Sequence, residues 1–180
     1  MPVAPLLGAF AILAAPIMLG NAPTPAPRAL TTGITVGEPA PDFALTTLDN
    51  KAITLDDVRG QVIVIHMWGA WCKPCKAQMP MLDAYFRANQ AKGLQIFGIE
   101  TGYTVGPRRL RKISERYAYP LTSRFRGDPY VRFDLWPTTY VIDRAGIVRF
   151  ARAVMFSPDG FDALVSPLLA EKPPVDAAPH

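Results

Sequence analysis

The stretch "QVIVIHMWGAWCKPCKAQMP", residues 61–80, decides the fold. Its first part, Gln61–Gly69, is a continuous apolar run rich in β-branched residues, the pattern of a strand buried on both faces. Downstream, Met79, Leu82 and Phe86 recur at helical spacing and predict a helix from about Lys73 to Ala91. Pro80 removes one donor from that helix's ladder and predicts a bend. Between strand and helix stand Cys72 and Cys75, the only two cysteines of the chain.

Cys72 falls where the turn ends and the helix begins. Helix N-termini carry unpaired N–H groups and the positive end of the macrodipole. A thiolate there is stabilised, so its pKa falls from about 8.5 toward roughly 7 or lower. Cys75 lies one helical turn on, where its sulfur can close a tight disulfide with Cys72 or attack a mixed disulfide formed there. Pro74 limits the loop and pre-sets helical φ. The spacing thus fits attack by an exposed thiolate and resolution by a neighbour. The alternatives are a stabilising crosslink and a metal site. A bridge across so short a separation restrains the unfolded chain far less than a long-range one. A metal site needs three or four ligands, and the other candidates are His66 and His180, of which His180 ends a polar tail. No metal and no cofactor is expected, because a redox-active disulfide carries the electrons itself.

The 180-residue chain is 49% hydrophobic, enough for one domain with a real core. Its formal net charge is +4, and Arg108, Arg109, Arg111 and Lys112 form a local basic cluster. Without aromatic interleaving this reads as a solvated helix face rather than a nucleic-acid site. Val3–Leu19 carries no charge and is interrupted by Pro5 and Pro16. With the small residues Gly20–Ala22 it reads as an export signal, cut off or retained as a membrane tether through residues 3–19. The alternative is a buried helix, against which the Pro-rich linker "APTPAPRALTTG" speaks. The expected organisation is a leader at 1–22, a linker at 23–36, a folded domain at 37–170 and a disordered tail at 171–180. Export places the chain in an oxidising compartment.

Along the domain, "DFALTTLDNKAITL" predicts two short strands about an Asp49-Asn50 turn, and "DDVRG" a short helical turn. "GLQIFGIET" is a second buried strand, and Pro107–Tyr117 a helix. The stretch "LTSRFRGDPYVRFDLW" reads as irregular. "PTTYVID" and "IVRFARAV" are antiparallel strands about the turn "RAG", and Asp159–Leu169 a last helix. Helices alternating with buried strands make this an α/β chain with a mixed sheet covered on both faces. Met67, Trp68, Phe97 and Phe133 read as core.

The segment "MWGAWCKPCKAQMP" resembles the active-site signature of thioredoxin-fold proteins, in its W-C-x-P-C core and in the proline five residues after the second cysteine. "VGEPAPDFALTTLDNKAITLDDVRGQVIVI" is similar to the N-terminal extension of the TlpA/ResA/DsbE-like branch, and "WPTTYVIDRAGIV" to that branch's P-T-T-F-L-I-D-x-x-G segment. The resemblance covers about Gly37 to Leu169. It implies a thioredoxin fold, a central mixed sheet flanked by helices, with an added N-terminal β-hairpin. It implies thiol–disulfide exchange in the periplasm or another extracytoplasmic space, soluble or anchored to the inner membrane. By motif, Cys72 is the nucleophile, Cys75 the resolving thiol, Pro137 a cis-proline facing them, and Trp71 a neighbour of the disulfide. X–Pro is the only bond that adopts cis cheaply, and a cis bond there bares the backbone of Trp136 to an extended substrate chain. The alternative is an ordinary trans proline opening a strand.

Three positions depart from the family pattern. His66, six residues before Cys72, stands where cytoplasmic thioredoxins place a buried Asp. A neutral imidazole there can take the Cys75 proton, directly or through water; the alternative is a core histidine bonded to backbone and kept neutral by burial. Glu100 closes a strand whose end approaches the site and is the second candidate for proton handling; the alternative is a solvated strand-end carboxylate. The segment before Pro137 is short, and Trp136 is bulky for its place, either reshaping the substrate groove or packing as core.

The expected function is a thiol–disulfide oxidoreductase that reduces disulfides of exported proteins, apocytochrome c in cytochrome c maturation among them. Its partners are a disulfide-containing protein substrate and a membrane-embedded thiol reductant, with no nucleic acid. A thiol peroxidase is the second enzyme class; it usually presents T-x-x-C, where this chain has Gly69. A copper chaperone of related fold is the non-enzymatic alternative; its cysteines are usually spaced CxxxC, with a distant His that this chain lacks in the expected region.

Overall fold

The computed structural model describes Met1 and residues 33–173. Residues 2–22 of the expected leader, 23–32 of the linker and 174–180 of the tail lie outside the described residues. The chain runs through β1 (Ala44–Thr46), β2 (Ala52–Thr54), a 3₁₀ turn (Asp56–Val58), β3 (Val62–Trp68), α1 (Lys73–Asn89), a second 3₁₀ turn (Gln90–Lys92), β4 (Leu94–Glu100) and α2 (Pro107–Ser114). It continues through β5 (Leu121–Thr122), β6 (Arg124–Arg126), α3 (Asp128–Val131), β7 (Thr138–Ile142), β8 (Val148–Ala153) and α4 (Pro158–Ala170).

All seven residues of β3 are buried, as their composition predicts. This strand is the middle of a five-stranded sheet ordered β5-β4-β3-β7-β8. β4 runs parallel to β3, with Val62 opposite Leu94 and Trp68 opposite Glu100. β7 runs antiparallel on the other side, with His66 opposite Thr139. Side chains of a strand alternate between faces, so β3 feeds two cores. Val62, Val64 and Trp68 join Met79, Leu82 and Phe86 of α1, Leu110 of α2, and Phe161 and Val165 of α4. Ile63, Ile65 and Met67 join Phe43, Leu45, Phe97, Tyr130 and Tyr140 on the opposite face. Burying each large apolar side chain contributes roughly 1.5–3 kcal/mol. Of the residues read as core, Met67, Trp68 and Phe97 are buried, while Phe133 is partly buried against the second face.

The stretch after Pro120 is not irregular. β6 pairs with β1, setting Phe125 opposite Leu45, so the expected hairpin is a three-stranded antiparallel sheet ordered β2-β1-β6. The reason is aromatic packing. Phe125 stacks on Phe43 at 5.8 Å, and Tyr130 of α3 meets both rings edge-on. Arg124 and Arg126 flank Phe125 in the strand alternation, a signal too short to separate from loop in sequence. Packing also reaches back to Ile34, which is buried in the second core three residues ahead of Gly37.

Arg144, in the turn between β7 and β8, ties three elements together. Its guanidinium donates to the carbonyls of Gly60 (2.8 Å), Lys92 (2.7 Å) and Leu169 (3.0 Å). Charged hydrogen bonds each contribute about 1.5–3 kcal/mol. Arg144→Ala is therefore expected to lower unfolding free energy by about 3 kcal/mol, read as a fall in the urea midpoint with unchanged m-value. Arg144→Lys should recover only part, because an ammonium cannot span three carbonyls.

Candidate active site

Strand β3 ends at Trp68, and a tight turn carries the chain into α1. The Cys72 N–H donates to the Gly69 carbonyl at 2.9 Å. Cys72 is the N-cap of α1, with extended backbone (φ −75°, ψ 101°) and its sulfur accepting the Cys75 N–H at 3.2 Å. Pro74 occupies the first turn, where its missing N–H costs nothing. Cys72 and Cys75 form a disulfide, S–S 2.00 Å with Cα atoms 5.3 Å apart. The expectation of an exposed Cys72 does not hold in this oxidised state: Cys72 is 3% and Cys75 0% exposed. The sulfur of Cys72 turns in toward the helix N-terminus and its partner, at the edge of the core beneath α1.

Trp71 carries the exposed surface instead, at 53%. Its indole lies over two glycines. A Cβ at Gly69 would come 3.0 Å from the ring, and one at Gly102 would come 2.7 Å from Trp71 Nε1. Trp71 meets Trp136 edge-on at 5.1 Å, and Trp136 meets Phe133 at 5.0 Å. The Trp136 Nε1–H donates to Thr101 Oγ1 at 3.0 Å. The Trp136–Pro137 peptide is cis and opens β7, the neighbour of β3. The loops carrying these residues also expose Tyr103 and Leu135. Gly102, Thr101 and Phe133 are supports that the motif did not indicate, because only the fold brings the loop after β4 against the turn after β3.

His66 shares the strand parity of Val64 and Trp68, the face that carries the cysteines. Its Nδ1 lies 3.4 Å from Thr139 Oγ1, a side chain rather than backbone, and its Nε2 is buried without a partner. Burial lowers its pKa from 6.5 to about 4, so the imidazole is neutral near pH 7. Glu100 is 1% exposed, and both carboxylate oxygens are buried without a hydrogen-bond partner in the described residues. The reading of a solvated strand end is thereby overturned. The physical cause is the loop above it: Glu100 Oε1 and Trp71 Nε1 crowd the same point over Gly102, at 2.9 and 2.7 Å. Gln78, one turn after Cys75, is a further buried polar group; its Oε1 accepts the Phe156 N–H at 3.3 Å and its Nε2 has no partner. Unpaired buried polar atoms cost about 1–3 kcal/mol each, and here three of the residues bearing them flank one disulfide's strand and helix. Among the described residues, no group of three or more His, Cys, Asp or Glu side chains could share a metal ion.

Residues 36–151 match the AhpC/TSA family. The chain is 31% identical over 123 residues to the thiol-disulfide oxidoreductase ResA of Geobacillus thermodenitrificans (strain NG80-2), covering 66% of this chain and 69% of that protein. It is 28% identical over 121 residues to the thioredoxin-like protein YneN of Bacillus subtilis (strain 168), covering 65% and 71%. Among solved structures, a thiol:disulfide interchange protein of the thioredoxin family from Chlorobium tepidum TLS aligns with a TM-score of 0.65 at 21% identity, covering 76% of this chain and 99% of that one. At that identity the likeness shows the thioredoxin fold.

The depressed His66 pKa has a stability consequence. The unfolded chain binds a proton at His66 below about 6.5, whereas the folded chain binds it only near 4. Stability from neutral His66 is present above pH 6.5 and is lost as pH falls through that window. The wild type should lose about 3 kcal/mol more than His66→Asn between pH 7 and pH 4, in urea titrations at each pH. Parallel curves for the two proteins would show that the imidazole is not held neutral.

Proposed function

Since the chain belongs to the AhpC/TSA family and is a thiol–disulfide oxidoreductase of the ResA/DsbE type, we propose that it reduces disulfides of exported proteins, with Cys72 as nucleophile and Cys75 as resolving thiol. The observation that carries the assignment is the Cys75 N–H aimed at Cys72 Sγ from the first turn of α1. Once the pair is reduced, that N–H and the helix N-terminus favour the thiolate of Cys72 over the thiol.

The reaction runs in two exchanges. Cys72 thiolate attacks one sulfur of the substrate disulfide; that S–S bond breaks, and the other substrate sulfur leaves as a thiolate and takes a proton. A mixed disulfide now joins Cys72 to the substrate. Cys75 loses its proton and attacks Cys72 Sγ, and the second substrate sulfur leaves and is protonated. The substrate gains two electrons and two protons in total, and the enzyme is left with its Cys72–Cys75 bond. His66, neutral and on the cysteine-bearing face of β3, is the first candidate to accept the Cys75 proton, directly or through water; Glu100 is the second. By the family resemblance Trp71 and Pro137 border the sulfurs, and Pro74 in the first turn of α1 limits the turn that spaces them.

The uncharged stretch Val3–Leu19 supports export, with the domain working in an extracytoplasmic space, either free or tethered. An oxidising compartment keeps Cys72–Cys75 oxidised, so each cycle needs a thiol reductant, for which a membrane-embedded donor is the fitting class. Apocytochrome c, whose cysteines must be reduced before haem attachment, is one substrate of the required chemistry.

Cys75→Ser should hold substrates as mixed disulfides on Cys72, visible on non-reducing gels and identified by mass spectrometry. Cys72→Ser should trap none and abolish reduction of a test disulfide. Trapping on Cys75 in Cys72→Ser with none on Cys72 in Cys75→Ser would reverse the assigned roles, and peroxide consumption faster than disulfide reduction would replace the activity.

A further inference from the structure

The basic cluster of α2 does not form one solvated face. Arg111 donates to the Leu48 carbonyl at 2.8 Å and lines a different cavity with Leu48, Asn50 and Arg124. Arg109, Lys112 and Arg116 fall at helical spacing. With Lys76, Ala70 and Ile113 they line an open cavity of about 350 Å³. Ala70 lies two residues before Cys72, and Lys76 directly follows Cys75. The cavity therefore adjoins the redox-active turn, and neither Trp136 nor Pro137 lines it. Four of its six lining residues are cationic and none is acidic. Among the described residues, no ion pair engages Lys76, Arg109, Lys112 or Arg116; Arg116 instead lies over the Tyr117 ring at 6.0 Å. Leu110, buried in the core, anchors the helix that presents them.

We propose that this cavity docks an acidic segment of the protein substrate, beside the disulfide that Cys72 attacks; the inference rests on the reading of Cys72 as nucleophile toward protein disulfides. Unpaired cations around a concave, partly apolar floor attract a carboxylate-rich chain and raise its encounter rate. A single-stranded nucleic acid is the poorer occupant, because the lining offers no aromatic ring for a base to stack on. The cavity sets which exported disulfides are reduced fastest; it takes no part in the exchange itself.

The test uses two short disulfide peptides that differ only in flanking residues, Asp and Glu in one and Asn and Gln in the other. At low salt, the pre-reduced protein should react with the acidic peptide about tenfold faster in second-order rate. Arg109→Glu combined with Lys112→Glu should erase that preference while leaving the amide peptide's rate unchanged. About 0.5 M NaCl, where the Debye length is a few ångströms, should erase it too. Docking is read separately by fluorescence anisotropy, using the oxidised protein and the acidic peptide with Ser in place of Cys. Charge-dependent binding there supports the cavity even if neither disulfide is reduced, in which case the reductase reading falls alone. Equal rates with no binding difference between the two peptides would overturn the proposal, as would tighter binding of an oligonucleotide of equal charge.

Discussion

A single backbone N–H, that of Cys75, reaching Cys72 Sγ at 3.2 Å, is the contact on which this site depends. It exists only if Cys72 caps α1, and Cys72 caps α1 only if β3 ends at Trp68 with the turn pinned by the Cys72 N–H on Gly69. That strand is held by seven buried residues packed into two cores, one on each face. Core packing and sulfur chemistry are therefore continuous. The apolar cluster beneath α1 includes both cysteines, and its rigidity positions the donor.

The core near the disulfide is not purely apolar. His66, Gln78 and Glu100 are buried there with atoms that find no partner among the described residues. Such atoms destabilise the fold relative to apolar replacements. They persist beside a group whose chemistry moves protons; Trp68 Nε1 and Tyr119 OH of the same core are likewise without partners among the described residues, whereas buried Asp143, outside that cluster, is satisfied by Ala145, Ile147 and Arg149. Burial keeps His66 uncharged near neutrality and by the same cause makes it a weak base, so any proton it takes from Cys75 is held only transiently.

Around the sulfurs the surface is divided by chemistry. Trp71, Trp136 and Phe133 form an edge-to-face aromatic row along one side, with Tyr103 and Leu135 exposed on its loops. Arg109, Lys112, Arg116 and Lys76 line a separate cavity next to the same turn.

The stretch from Gln61 to Pro80 by itself determined the buried strand, the helix and the cysteines at their junction, because composition and periodicity there are local properties of consecutive residues. The hairpin and the last two strands were legible for the same reason. Tertiary structure alone decided that Phe125 adds a third strand to the hairpin, since a three-residue alternation carries no weight until Phe43 and Tyr130 pack on it. It decided that Glu100 is enclosed rather than solvated, since the cover comes from Gly102 and Trp71, and Trp71 lies on a turn far away in sequence. It also split the basic run of α2 between two surfaces, because helical rotation sends neighbours in sequence to different sides and only the packing of Leu110 says which side faces the disulfide.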